Sequence, residues 1–145
     1  MVIISKIIYE MKIKLLIVCL LFFAFQVNAE VKDVNNQEII NLISKNVPII
    51  DIRRSSEWRD TGIIKGSILL TFFDKKGNSN TEKWLPKLKK IAREDDPVII
   101  ICRSGRRSAI VSKFLNEQAN YTNVFNASGG ILSWISSKNK TVQPN

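Results

Sequence analysis

Residues 97–102 read PVIIIC, and the four residues between the proline and the cysteine are all β-branched and apolar. A strand that alternates apolar and polar side chains can leave one face in water. A run without alternation must be covered on both faces, as in the middle of a parallel sheet flanked by helices. VPIIDI at residues 47–52 is a second run of this kind, and shorter strands are expected at residues 67–72 and 124–126.

Between these runs the apolar spacing is helical. Residues 36–45 place Ile39, Ile40, Leu42 and Ile43 on one face, after a cap at Asn35 or Asn36. Residues 81–95 predict an amphipathic helix with Trp84, Leu85, Leu88 and Ile91 inward and Pro86 in its first turns, where proline is tolerated. Residues 107–119 predict a third, with Ile110, Val111, Phe114 and Leu115 toward the core. SEWRDT at residues 56–61 is a short polar helix or turn, DKKGNSN at 74–80 is a loop by composition, and ILSWISSK closes the chain as a helix after Gly129 and Gly130. Strand and helix alternate, so an α/β layered domain is expected. In such sheets ligands bind beyond the carboxyl ends of the strands, and Cys102 lies at that end of the most apolar run.

Not all 145 residues suit this domain. Lys12 and Lys14 precede a thirteen-residue run at 15–27 that is apolar but for Gln26, followed by Val27-Asn28-Ala29. That is the pattern of a secretory signal peptide cut after Ala29, with Met11 as an alternative start. An uncleaved membrane anchor is the rival reading, but a spanning helix wants about 20 apolar residues. Residues 1–29 are therefore read as a signal peptide and residues 30–145 as one exported domain.

The leading segment holds three cations and one anion, so the net charge of +9 becomes +7 in the remainder. Such a surplus suits nucleic acid, a membrane surface or an anionic substrate. Export argues against nucleic acid, and no basic stripe is interleaved with aromatics. Beyond residue 29 Cys102 is the only cysteine, which leaves no intramolecular disulfide, and the chain has no histidine. Cys-His and Ser-His-Asp catalysis are thereby excluded. No metal site and no cofactor are expected either, since one cysteine cannot replace the missing imidazoles.

Cys102 is followed by RSGRRS, so a strand leads through a tight glycine loop into a helix. This layout aims backbone N–H groups and the positive end of the helix dipole at an anion. Gly105 permits the turn, and Arg103, Arg106 and Arg107 supply formal charge. A thiol in such a field ionises more readily, environments of this kind giving pKa values of about 3.5–7.5. A thiolate needs no proton acceptor to attack a soft anionic centre such as the sulfane sulfur of thiosulfate. The bland alternative is a small buried residue at a strand end, with arginines in solvent.

CRSGRRS resembles the active-site loop of rhodanese-like sulfurtransferases. DIRRSSEWRDTGIIKGSI resembles the family's Asp-x-Arg, acidic-aromatic and Gly-Ile-x-Gly-small pattern through Asp51, Arg53, Glu57, Trp58, Gly62, Ile64 and Gly66, and ASGGILSW its closing segment through Gly129, Gly130 and Trp134. The resemblance implies a five-stranded parallel sheet flanked by helices on both faces. It implies Cys102 as the sulfur carrier, the backbone of Arg103, Ser104, Gly105, Arg106 and Arg107 as the substrate cradle, and Asp51, Arg53 and Ser108 in support. For Asp51 and Arg53 a buried structural ion pair is the competing reading. The implied partners are a small anionic sulfur donor and a cyanide or thiol acceptor, with a protein as a further candidate acceptor. A signal peptide before one such domain is similar to the small periplasmic rhodaneses of the phage-shock type. The family's usual histidine and proline are replaced here by Ile63 and Lys65.

Two other functions compete. Cysteine phosphatases need Cys-x5-Arg, and that arginine position is Ser108; arsenate reductases of the same fold meet a similar objection. A persulfide carrier or redox sensor without turnover would also use Cys102.

Overall fold

Five parallel strands lie side by side in the order β1-β5-β4-β2-β3. They are β1 (Lys32–Val34), β2 (Ile49–Asp51), β3 (Ile68–Leu69), β4 (Val98–Ile101) and β5 (Val124–Ala127). The helices are α1 (Asn36–Ser44), α2 (Ser55–Thr61), α3 (Thr81–Lys89), α4 (Arg106–Gln118) and α5 (Gly130–Ser136). The computed structural model describes residues 3–4, 6–12, 14 and 30–144. The apolar run at 15–27 and the cleavage pattern ending at Ala29 lie outside the described residues. Residues 6–12 are helical, and no helix among the described residues is long and apolar enough to cross a membrane.

The unalternating run at residues 98–101 occupies the middle of the sheet, and all four of its side chains are fully buried. Its even positions, Val98 and Ile100, pack with Cys102 against α3 and α4 through Trp84, Leu88, Val111 and Leu115. Its odd positions, Ile99 and Ile101, pack against α1 and α5 through Ile39, Ile131 and Trp134. Burial of each such isoleucine stabilises the fold by roughly 1.5–3 kcal/mol, so β4 ties the two layers together. The expectation of helices on both faces of a five-stranded parallel sheet holds.

The details depart from the periodicity in instructive places. The first strand, Lys-Asp-Val at β1, was not expected: only Val34 is buried, and the strand exists because it pairs with β5. The expected strand at 67–72 contracts to Ile68–Leu69, although Leu70 N and Phe72 N still donate to Asp51 O and Ile52 O at 3.1 and 3.2 Å. The helix expected over 81–95 ends at Lys89. Asn35 is the cap of α1, its side chain accepting from Gln37 N and Glu38 N while Glu38 reaches back to Asn35 N. Ile40 and Ile110, expected inward, are 39% and 59% exposed. In α4 the buried stripe is Ser108, Val111, Ser112 and Leu115, because the first turns of this helix stand close to the cysteine and only small side chains fit there.

Candidate active site

Strand β4 ends at Ile101, so Cys102 is the first residue past the carboxyl edge of the central strand. It is 1% exposed. Its Sγ accepts a hydrogen bond from Gly105 N at 3.1 Å and lies 3.4 Å from Ser108 Oγ. Ser108 Oγ in turn donates to Gly105 O at 3.0 Å, a carbonyl that also receives Ala109 N at 3.0 Å. The serine hydroxyl therefore has two uses. With a thiol present it accepts S–H while donating to Gly105 O. With a thiolate it can turn its proton to sulfur, because Gly105 O keeps its helical partner.

The loop is fixed from outside as well. Gly105 has φ +90°, and a Cβ there would lie 1.8 Å from Ser128 O. Gly130 has φ +58°, and a Cβ there would lie 2.5 Å from the carbonyl group of Arg103. Both positions thus require glycine, for left-handed backbone and for close approach at once. Across this contact Ile131 N and Leu132 N, at the start of α5, donate to Cys102 O and Arg103 O at 2.9 and 3.1 Å. The carbonyls of Cys102 and Arg103 are thus held by α5, while Gly105 N, at the start of α4, donates to the cysteine sulfur.

The three arginines of the loop divide. Arg103 and Arg106 are exposed and have no carboxylate partner among the described residues. Arg107 instead forms a two-pronged pair with Glu57, Nη2 to Oε1 at 2.6 Å and Nη1 to Oε2 at 3.0 Å. Glu57 also accepts from Arg54 N at 3.1 Å and Arg54 Nε at 3.3 Å. Burial pushes the Glu57 carboxyl up, but its hydrogen bonds from Arg107 and Arg54 and the Arg107 charge outweigh this and hold it at about 2. The same hydrogen bond donated to Glu57, opposed by burial and aided by the Glu57 charge and smaller effects of Cys102 and Asp51, raises Arg107 above its ordinary range. Glu57 is the residue whose place here periodicity did not reveal. Its local signal was its position three residues past Arg54, where it caps α2.

Asp51 and Arg53 are brought to the same edge but face each other. Arg53 is fully buried; its Nη2 meets Asp51 Oδ2 at 2.6 Å and its Nε meets Asp51 Oδ1 at 2.9 Å. The remaining donors reach Gly62 O at 2.9 Å, Glu57 O at 3.2 Å and Thr61 Oγ1 at 2.7 Å. The pair therefore fastens the last turn of α2 to the end of β2, which is the structural reading of these two residues. Through Glu57, α2 then fixes Arg107. Ser104 is exposed at the loop tip.

Glu57 makes stability depend on pH in a defined window. Its carboxyl is lowered from 4.5 to about 2, so its contribution is complete above the unfolded value and disappears as pH falls from 4.5 toward 2. A shift of that size corresponds to at most about 3 kcal/mol, and to less once solvent screening of the pair is allowed for. In urea unfolding followed from pH 6 to pH 2.5, Glu57→Gln is expected to be less stable than wild type at pH 6 and to lose most of that difference at the acid end. A difference that stays constant across the range would contradict the ion-pair account.

Comparison with known proteins bears on the fold. The family model described as Rhodanese-like domain matches residues 35–137. The rhodanese domain-containing protein CG4456 of Drosophila melanogaster is 32% identical over 108 residues, covering 72% of this chain and 90% of that protein. The crystal structure of a rhodanese-like domain protein from Staphylococcus aureus superposes with a TM-score of 0.54 at 27% identity, covering 71% of this chain and 90% of that one. A polysulfide-sulfur transferase homodimer from Wolinella succinogenes has a TM-score of 0.61 at 20% identity, with 81% and 82% covered, and is similar in fold.

Proposed function

The chain belongs to the rhodanese-like domain family, and from that membership we propose that it is a sulfurtransferase that takes sulfane sulfur from thiosulfate onto Cys102 and passes it to cyanide or a thiol. The observation that carries the reading is the Gly105 N–H at 3.1 Å from a cysteine sulfur seated at the mouth of α4. The Cys102 thiolate attacks the outer sulfur of thiosulfate. The S–S bond of thiosulfate breaks, sulfite leaves with the electron pair, and Cys102 holds a persulfide anion. In the persulfide the charge moves one atom outward from Sγ and stays before the positive end of α4. In the second half an acceptor attacks that outer sulfur and Cys102 departs as thiolate. Neither half needs a histidine.

Supporting this reading over phosphoryl transfer is the fate of charge in the loop. Position 108 is serine, and the one arginine rooted near it, Arg107, already spends its guanidinium on Glu57. Arg103 and Arg106 remain to attract a dianion. Arg103→Ala is expected to raise KM for thiosulfate about tenfold with little change in kcat or thermal midpoint. An equal loss in kcat would place Arg103 in the chemical step instead.

The decisive experiment is to incubate the protein with thiosulfate, look by mass spectrometry for one added sulfur on Cys102, and measure thiocyanate after cyanide is added. Phosphate-ester hydrolysis without added sulfur would sink the proposal, and added sulfur without turnover would make the protein a persulfide carrier. The reading extends to place: a signal segment cut after Ala29 puts this single domain in the periplasm. Amino-terminal sequencing is expected to begin at Glu30, and a membrane-bound product retaining residues 15–29 would overturn the placement.

A further inference from the structure

Beyond α5 the chain turns back at Lys138, which is not glycine yet has φ +59°. Lys138 N and Asn139 N close the turn on Ile135 O and Trp134 O at 2.9 and 3.2 Å. A left-handed conformation is costly for a residue with a side chain, and it persists where neighbouring contacts hold it. Such contacts follow at once. Trp134, buried in the layer of Ile39 and Ile131, donates Nε1–H to Lys140 O at 3.0 Å. Val142 then pairs with Ile63 in an antiparallel bridge, each N–H donating to the other's carbonyl at 2.9 Å. Gly62 lies against the same stretch: its φ is +74°, and a Cβ there would stand 2.7 Å from Thr141 Oγ1 and 2.9 Å from Val142 O. Val142 itself is 40% exposed, so backbone bonds hold this segment more than apolar burial does.

The two ends of the segment rest on the two supports of the Cys102 loop. One support is α5, whose Ile131 N and Leu132 N hold the carbonyls of Cys102 and Arg103. The other is α2 with Gly62, where Gly62 O accepts from Arg53 Nη2 at 2.9 Å and Glu57 holds Arg107 of α4. Between them Cys102 Sγ accepts from Gly105 N, at the start of α4. The loop, α4, α2, residues 138–142 and α5 therefore close into a ring. An open ring would let each support shift by itself, whereas a closed one fixes their separation. Residues 138–142 follow the stretch shared with the family, which ends at residue 137, so membership gives them no role.

We propose that residues 138–142 are a positioning strap for the Cys102 loop, joining its α5 support to its α2 support. The catalytic consequence rests on the sulfurtransferase reading above. Attack on thiosulfate requires Sγ and its Gly105 N–H donor to be aligned closely, and small displacements of a reacting group are costly. Arg103 and Arg106 are exposed and attract the dianion wherever the loop carbonyls sit. Loss of the strap therefore slows sulfur uptake without weakening capture of the donor.

The test uses the full chain carrying Val142→Pro, which removes the N–H that Ile63 O accepts, beside Val142→Ala, which keeps it. Rates are taken at a temperature where circular dichroism shows all proteins folded. Val142→Pro is expected to lower the maximal rate of sulfur uptake from thiosulfate about tenfold, with the half-saturating concentration moved by less than about twofold. Amide hydrogen exchange at Ile131 and Leu132 is expected to become about tenfold faster. Val142→Ala is expected to match wild type in both. Trp134→Phe, which removes the donor at the other end of the strap, is expected to move both readouts in the same direction and decides the matter if Val142→Pro does not fold. Unchanged uptake, or unchanged exchange at these two amides, overturns the proposal even where the thermal midpoint falls, and so does an equal loss in Val142→Ala. Absence of added sulfur in wild type overturns the sulfurtransferase reading, and hydrogen exchange then still decides whether the strap holds the loop.

Discussion

Cys102→Ser is expected to fold, to take up no sulfur from thiosulfate, and to form thiocyanate at least about a thousandfold more slowly than wild type. The substitution is nearly isosteric at a site that is 1% exposed, and the hydroxyl can keep the bond from Gly105 N, so stability should move by no more than about 1 kcal/mol. The loss is chemical. An alkoxide is not available near neutral pH, and nothing in the loop can act as a base to make one. Thiocyanate production and persulfide mass must vanish together. Turnover that survived while the added sulfur disappeared would mean that the acceptor attacks bound thiosulfate directly, and the two-step scheme would be wrong.

Arg53→Ala should produce the largest loss of stability of any single change at this edge of the sheet, about 3–5 kcal/mol in denaturant unfolding. The variant would leave the Asp51 carboxylate buried with only Arg53 N, at 3.1 Å, as donor. It would also take from Glu57 O and Gly62 O their bonds from Arg53, leaving them Thr61 Oγ1 at 3.1 and 3.2 Å. Losses of this size are a large part of the 5–15 kcal/mol that holds a typical domain together. Combining Arg53→Met with Asp51→Asn removes the uncompensated charge and is expected to restore part of the stability. If the double variant is no better than Arg53→Ala, the cost lies in the bonds to α2 and not in the buried carboxylate.

What was legible in the sequence, and what was not, follows from the kind of signal each residue carries. The runs at 47–52 and 98–101 announced themselves because full burial on both faces demands unbroken apolar side chains, and the alternation with helices then set the layered architecture. Strand β1 was illegible because one buried valine in three residues carries no pattern; its partner β5, nearly a hundred residues away, makes it a strand. The phase of α4 was misread for a related reason. Apolar spacing pointed Ile110 inward, yet Ser108 and Ser112 share the buried stripe with Val111 and Leu115, and Ser108 Oγ stands 3.4 Å from the cysteine sulfur.

The loop composition identified the cysteine, the glycine turn and the group of arginines. It could not say which arginines stay free. That depends on Glu57, fifty residues earlier in the chain, brought to Arg107 by a helix that is itself fastened by Asp51 and Arg53. Asp51 and Arg53 thus touch the loop's free charge only through α2 and Glu57.

The bonds from Ile131 and Leu132 to the carbonyls of Cys102 and Arg103 also set an order of events during synthesis. A chain made from its amino terminus presents the thiol about thirty residues before the helix that locks the loop exists. Strand β1 likewise waits for β5, its only partner in the sheet. A nascent or truncated chain ending before Gly130 carries the reactive residue without the geometry that directs it. The loop around Cys102 is therefore left unlocked until α5 has been made, and the thiol is most open to oxidants during that interval.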